Sequence, residues 1–407
     1  MRSRALLVLG VLGASVLVAA PSPAAGPCGN PTVVGTSGDD RLRGTDGPDV
    51  IAGLGGNDLL VGLGGDDVLC GGPGKDVLRG GPGADQLLGG ADAREAEDTD
   101  YYLYFGDELD GGPGSDRLEG GLDPRHEGSV DTITFAGLAQ PVTVDLADGT
   151  AASGADTDTV TGPVGTVVGT AHDDVLLGSD RGETLTGGAG ADHVDGRGGD
   201  DSVNGADHYH DGRDTSPNTV LGGPGKDYVD GDDGDDVLRG GPGNDVLQAY
   251  AGADRSYGGT GSDSFNDEVG PAAGQLLDGG PGPDSIGDIA LFDRQGRFRA
   301  HATGRLDMAA GTLRAVLGPT RWNIGLTAIE DVSTPHGDAW VVLGTDGPDT
   351  IYAGSFSDPI RIYARGGNDR LLGSDQDDVL NGGPGHDQGS GWGGQDRYVS
   401  VERIRTR

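Results

Sequence analysis

From Gly35 the apolar residues of the chain recur every nine positions, at Leu42, Ile51, Leu60, Leu69, Leu78 and Leu87. A helix would place them at i, i+3, i+4 and i+7. Each lone apolar residue instead stands between two outward ones, the pattern of a three-residue strand with one inward side chain. The six residues between strands carry turn chemistry, with Gly at positions 1 and 4 and Asp at position 6. The units GTSGDDRLR, GTDGPDVIA, GLGGNDLLV, GLGGDDVLC, GGPGKDVLR and GGPGADQLL follow one another to Leu88 without a slip in phase.

The beat returns along the rest of the chain. Position 6 holds Asp40, Asp49, Asp58, Asp67, Asp76 and Asp85 in the first run. It holds Asp174, Glu183, Asp192 and Asp201 over residues 169–204, and Asp227, Asp236, Asp245, Asp254 and Asp263 over residues 222–266. Single units carry Asp116 and Asp284; residues 344–361 carry Asp349 and Asp358, and residues 364–399 carry Asp369, Asp378, Asp387 and Asp396. Weaker in-phase echoes fall at 102–110, 213–221 and 270–278. A turn and a short strand, repeated, predict a solenoid. If two units make one coil, residues 18 apart stack, so Asp49 lies beside Asp67 and Asp67 beside Asp85. Stacked strands are about 4.8 Å apart. Bare carboxylates at that spacing repel, and a cation between them removes the repulsion.

Composition sharpens this expectation. Among 407 residues 82 are Gly and 5% are aromatic, and Asp plus Glu number 66 against 28 Lys plus Arg, a net charge of -38. So few large apolar residues cannot fill several ordinary cores, and such a chain is disordered unless something cationic neutralises it. Gly does not recur every third residue, which excludes collagen. A surface this acidic repels phosphate, so nucleic acid is not an expected partner. Asp in a Gly-rich turn offers hard oxygen ligands together with inward carbonyls, the donor set of Ca²⁺.

The units GGPGKDVLR, GGPGADQLL and GGPGNDVLQ resemble the RTX (haemolysin-type) calcium-binding repeat, G-G-x-G-x-D-x-U-x. The resemblance implies an all-β parallel β-roll, multiple Ca²⁺ ions held between turns, and ligand roles for the position-6 Asp residues named above. Departures at position 4 (His172, Arg181, Phe356, Gln376) and at position 8 (Ser256, Gly389) are expected to weaken their sites.

Residues 1–25 read as a cleaved secretory leader, with Arg2 and Arg4 before an uncharged run and small residues near 20–25. No later stretch reads as a membrane span. Cys28 and Cys70 read as one disulfide of an oxidising exterior; Pro27 argues against a lipid anchor on Cys28. The remaining chain divides into an N-terminal repeat block with an acidic insertion (26–134), spacer coils (135–168), a central block (169–286), spacer coils (287–343), and a C-terminal block with a cap (344–407). The spacers are expected to be metal-free coils whose extra strands lengthen the solenoid. Residues 89–101 read as a surface loop.

Other chemistry is sparse. His208, His210 and Asp211 read as an exposed polar loop in preference to a transition-metal site. Arg294, Arg297, Arg299, Arg305, Arg314 and Arg321 read as outward strand positions, with contact to an acidic glycan as the alternative. Trp322, Trp340 and Trp392 read as capping or spacer packing. Neither GPGKD stretch is a phosphate loop, and no G-x-S-x-G or H-E-x-x-H occurs. The expected protein is therefore a secreted calcium-binding β-roll that folds on Ca²⁺ and acts as a structural or interaction protein at the cell exterior. A polysaccharide-modifying enzyme or glycan-binding adhesin built on the same solenoid is the alternative.

Overall fold

The computed structural model describes residues 26–91, 106–121, 131–206, 214–269, 273–291, 303–317, 320–327, 329, 331–333, 339–352 and 359–405. These form an all-β parallel solenoid of about 16 turns. Most strands are three residues long, and their middle residue alone is buried, as in Leu59–Val61 and Val77–Arg79. Arg41 pairs with Leu59, Leu42 with Leu60 and Arg43 with Val61, the 18-residue register of two units per coil.

The core consists of two facing columns that receive one side chain per strand. One column runs through Leu60, Leu78, Leu109, Ile133 and Val167, the other through Ile51, Leu69, Leu87 and Leu118, all fully buried. The column survives chain insertions. Leu78 still pairs with Leu109 and Leu87 with Leu118, so strands far apart in sequence keep the register of the coils before them. The position-8 departures stay in the columns. Ser256 is buried opposite Leu238, and the space that a side chain would fill at Gly389 is taken by Tyr398 and Val401.

The two spacers differ from the expected coils. Strands Thr143–Asp145, Thr150–Ser153 and Asp156–Thr161 form an antiparallel meander. Its last strand lies parallel to Arg117–Gly121, and its first lies parallel to Val175–Leu177. Strands Thr303–Asp307, Thr312–Leu317 and Thr320–Thr327 repeat this arrangement between Ala273–Asp278 and Ala339–Leu343. Each spacer therefore puts three strands where a regular coil has one, and all three join the same sheet. Among the described residues that sheet has 21 strands and its opposite 17. The alternation of Val142, Val144 and Leu146 fits either strand direction, so only the pairing reveals the reversal.

The first spacer is pinned to the block that follows. The Arg197 guanidinium donates to both carboxylate oxygens of Asp145, at 2.8 and 2.7 Å, and to the Gly178 carbonyl. A disulfide joins Cys28 to Cys70 and ties the first described residues to the third coil strand of their sheet. Among the described residues no helix is long and apolar enough to cross a membrane.

Candidate metal centre

Every loop closes just before a strand, which fixes the position-6 residue at the solenoid edge with its side chain turned inward. The acids then stack in two rows, one along each edge. In one row the Asp40 N–H donates to Asp58 Oδ1, Asp58 to Asp76, Asp76 to Asp107 and Asp107 to Asp131, at 2.7–2.9 Å. In the other, Asp49 donates to Asp67, Asp67 to Asp85, Asp85 to Asp116 and Asp116 to Asp158, each at 2.8 Å. The central block continues both rows. Asp174 leads to Asp192 and then Asn218, Asp236 and Asp254, while Glu183 leads to Asp201, Asp227, Asp245, Asp263 and Asp284. The C-terminal block carries Asp349, Asp369 and Asp387 on one edge and Asp378 and Asp396 on the other.

Each acid that follows another in a row thus gives one carboxylate oxygen to the backbone of the coil before it. The second oxygen, Oδ2, is buried and accepts no hydrogen bond at Asp58, Asp67, Asp76, Asp85, Asp116, Asp192, Asp201, Asp227, Asp236, Asp245, Asp254, Asp263, Asp369 and Asp387. It lies against the position-1 glycine. A Cβ built on Gly53 would collide with Asp58 Oδ2 and with the carbonyl oxygen of Gly71 in the next coil, and Gly62 meets Asp67 and Gly80 in the same way. Glycine at position 1 therefore keeps open a space faced by one carboxylate oxygen and one carbonyl oxygen. Position 2 explains the second glycine of the repeat. Gly72 and Gly81 have φ of +116° and +103°, and Leu54 and Leu63 are forced into the same left-handed region at +85° and +89°.

The electrostatics follow from burial. Desolvation, with smaller contributions from neighbouring acids, pushes the Asp236 carboxyl up to about 8. Asp192, Asp201, Asp245 and Asp254 are pushed up to about 7 by the same cause. Asp116 likewise rises to about 7, and Asp76, Asp85 and Asp369 to about 6. A buried anion with a bare oxygen lacks a compensating partner. Two carboxylates stacked 18 residues apart and flanked by loop carbonyls fit a hard divalent cation that takes about 6–8 oxygens. Among the described residues no three metal-ligating side chains converge, so backbone carbonyls would have to complete any such site.

Several members of the rows are not legible as repeat residues. Asp107, Asn218 and Gln275 occupy position 6 of the weak echoes, and Asp107 and Asn218 carry the ladder. Asp131 and Asp158 join it from outside any unit, and Asp158 does so from within the segment expected to be free of metal. Glu402 closes one row by accepting the Asp387 N–H at 2.6 Å. A second ladder runs at position 5 with opposite polarity, the later coil donating. The Asn57 N–H bonds Asp39 Oδ1, and the Lys75 N–H bonds Asn57 Oδ1. The repeated Asp-Asp and Asn-Asp pairs were the signal for it.

Other candidates separate from these rows. Strand pairing puts Ile362 opposite Leu380, and the Ile360 N–H bonds Asp378, so Ile360 holds the position-6 register in that coil. Asp358 and Phe356 lie outside the described residues, as do His208, His210, Asp211, Arg294, Arg297, Arg299 and the leader. Arg305 and Arg314 pair across two antiparallel strands, with Arg314 exposed. Trp340 is buried and Trp392 is exposed.

Comparison with known families matches the RTX calcium-binding nonapeptide repeat over residues 34–69, 70–93, 104–123, 177–207, 214–238, 230–265, 341–358 and 363–398, more than half of the chain. No curated protein matches the sequence. The stacked coils, the paired acid rows and this match together make the chain a member of the RTX calcium-binding nonapeptide repeat family, a calcium-binding β-roll protein.

Proposed function

We propose that the protein is secreted, that its coils order when Ca²⁺ binds, and that the ordered roll serves as a structural or interaction element at the cell exterior. Position-6 Asp residues of the three repeat blocks whose Oδ2 stays bare would hold the ions, with position-1 carbonyls completing each site. The observation that carries this reading is the row of buried Oδ2 atoms without hydrogen-bond partners. Without a cation, each coil must bury carboxylates against one another. The apolar core offers little to offset that, since a coil contributes about two inward side chains at roughly 1.5–3 kcal/mol each. Ordering the backbone costs about 1–2 kcal/mol per residue. Bound Ca²⁺ would supply charge neutralisation and cross-coil ligation, so that binding free energy becomes folding free energy. Extracellular modules bind Ca²⁺ at about 10⁻⁴–10⁻³ M, and such affinity would leave the chain unfolded until export. The leader-like residues 1–25 and the Cys28–Cys70 disulfide support an oxidising destination.

Circular dichroism in EGTA and then in millimolar Ca²⁺ tests the reading. At pH 8 a β-rich spectrum with a cooperative melt is expected only with Ca²⁺. The same spectrum and melt in EGTA at that pH would refute it.

A further inference from the structure

Two kinds of loop recur among the described residues, and position 2 separates them. Where position 2 has positive φ, its N–H is turned away from the loop's own acid. It donates to the position-1 carbonyl of the next coil, as from Leu54 to Gly71 at 3.1 Å and from Gly81 to Gly111 at 2.9 Å. The Oδ2 of these loops is left without a donor.

In six loops position 2 is Thr36, Thr45, Thr170, Ser179, Thr345 or Ser374, and none of these has positive φ. The peptide is turned the other way. The N–H donates to the loop's own acid: Thr36 to Asp40, Thr45 to Asp49, Thr170 to Asp174, Ser179 to Glu183, Thr345 to Asp349 and Ser374 to Asp378, at 2.5–3.2 Å. The hydroxyl donates to the same carboxylate in all six. It also accepts the N–H of position 4, from Gly38, Gly47, His172, Arg181, Gly347 and Gln376. The amide, joined by the hydroxyl at Thr36 and Thr45, thus takes the carboxylate oxygen that stays bare in the other loops. Position 4 has ordinary φ here, which explains why His172, Arg181 and Gln376 are tolerated in these loops.

The placement of these loops is a second, independent observation. Five of the six lie where the preceding coil offers no acid at position 6, while the register position before Asp349 is Glu330, outside the described residues. Asp49 accepts from the Thr32 hydroxyl, Asp174 from the Val142 N–H and Asp378 from the Ile360 N–H. Glu183 stands in register beside Gly165, and the strand after Asp40 pairs with no earlier strand. A cation between such a loop and the coil before it would lack a second carboxylate. Thr36 and Thr45 open the first block, Thr170 and Ser179 the central one, and Thr345 the last.

We propose that the six Thr and Ser loops are closed by their own hydrogen bonds and take no cation, so that each calcium-loaded run is begun by metal-free coils. The proposal rests on the calcium reading above. It is tested by counting ions on the full mature chain at saturating Ca²⁺ by equilibrium dialysis. Two matched pairs of isosteric variants are used, Asp49→Asn with Asp67→Asn and Glu183→Gln with Asp201→Asn, so a folding failure in one block leaves the other informative. Asp67→Asn and Asp201→Asn, which stack on Asp85 and Asp227, are expected to lose at least one ion each, and Asp49→Asn and Glu183→Gln none. Equal losses within both pairs overturn the loop assignment alone. A wild-type chain that binds no Ca²⁺ overturns the calcium reading itself.

Discussion

The first two nonapeptides, 35–52, and the four that follow, 53–88, share the same glycines, the same acids and the same inward residue. They differ in what the acid meets. Asp49 accepts from the Thr45 amide and hydroxyl, while Asp67 turns a bare oxygen toward Gly62 and the Gly80 carbonyl. Thr or Ser at position 2 goes with a peptide that faces the loop's own acid, so that the carboxylate is satisfied from inside the protein. A nine-residue consensus treats both loops as one motif, although their chemistry is distinct.

Acid should separate Asp49 from the buried rows most widely. In EGTA, folded Asp236 keeps its proton up to about 8, and Asp116, Asp192, Asp201, Asp245 and Asp254 keep theirs up to about 7. An unfolded Asp loses its proton near about 3.9. The folded metal-free chain therefore binds more protons between these limits. Its stability is full below about 4 and is lost as pH rises through about 6–8. Circular dichroism in EGTA should show more β-structure at pH 5 than at pH 8, and the reverse order would contradict the burial of the rows. Asp49 runs the other way, because hydrogen bonds from Thr45 and Thr32 hold its carboxyl below the usual value. Its contribution is present at neutral pH and fades only in stronger acid.

Glycine substitutions at position 4 give the next largest contrast. Gly74 has φ of +153°, and a Cβ there would collide with the Gly56 carbonyl. Gly74→Ala should cost about 2–4 kcal/mol in a melt at saturating Ca²⁺, since both backbone strain and a backbone clash are involved. Gly47, in a Thr loop, has ordinary φ and only Thr45 Oγ1 at 4.0 Å. Gly47→Ala should stay within about 0.5 kcal/mol of wild type. Equal destabilisation would erase the distinction between the loops.

Arg197→Ala removes the bidentate pair with Asp145 and should cost about 1–2 kcal/mol. The loss should be concentrated where the first spacer meets the central block, read as faster hydrogen exchange in residues 143–161. Exchange that rises uniformly along the solenoid would argue against that clamp. Leu54→Gly should have the smallest effect and a favourable one. The side chain is 52% exposed and its φ is +85°, so glycine relieves strain without losing core packing. A gain of up to about 1 kcal/mol is expected in the same melts; a loss would mean that Leu54 packs against a neighbouring loop.

The period of nine by itself determined the architecture. One inward residue between two outward ones dictates a short strand, and Gly-rich turns of fixed length dictate the 18-residue register in which Leu42 meets Leu60 and Asp49 meets Asp67. Both follow from local chemistry, so the sequence alone carries them. Tertiary structure decided what depends on neighbours remote in sequence. Only pairing shows that residues 143–161 run as an antiparallel meander, because alternation is the same for either direction. Asp131, Asp158 and Glu402 enter the acid rows through loops of irregular length, which a fixed period cannot register. The orientation of the position-2 peptide is set by whether its N–H finds the loop's own carboxylate or the carbonyl of the next coil. That choice needs both coils in place.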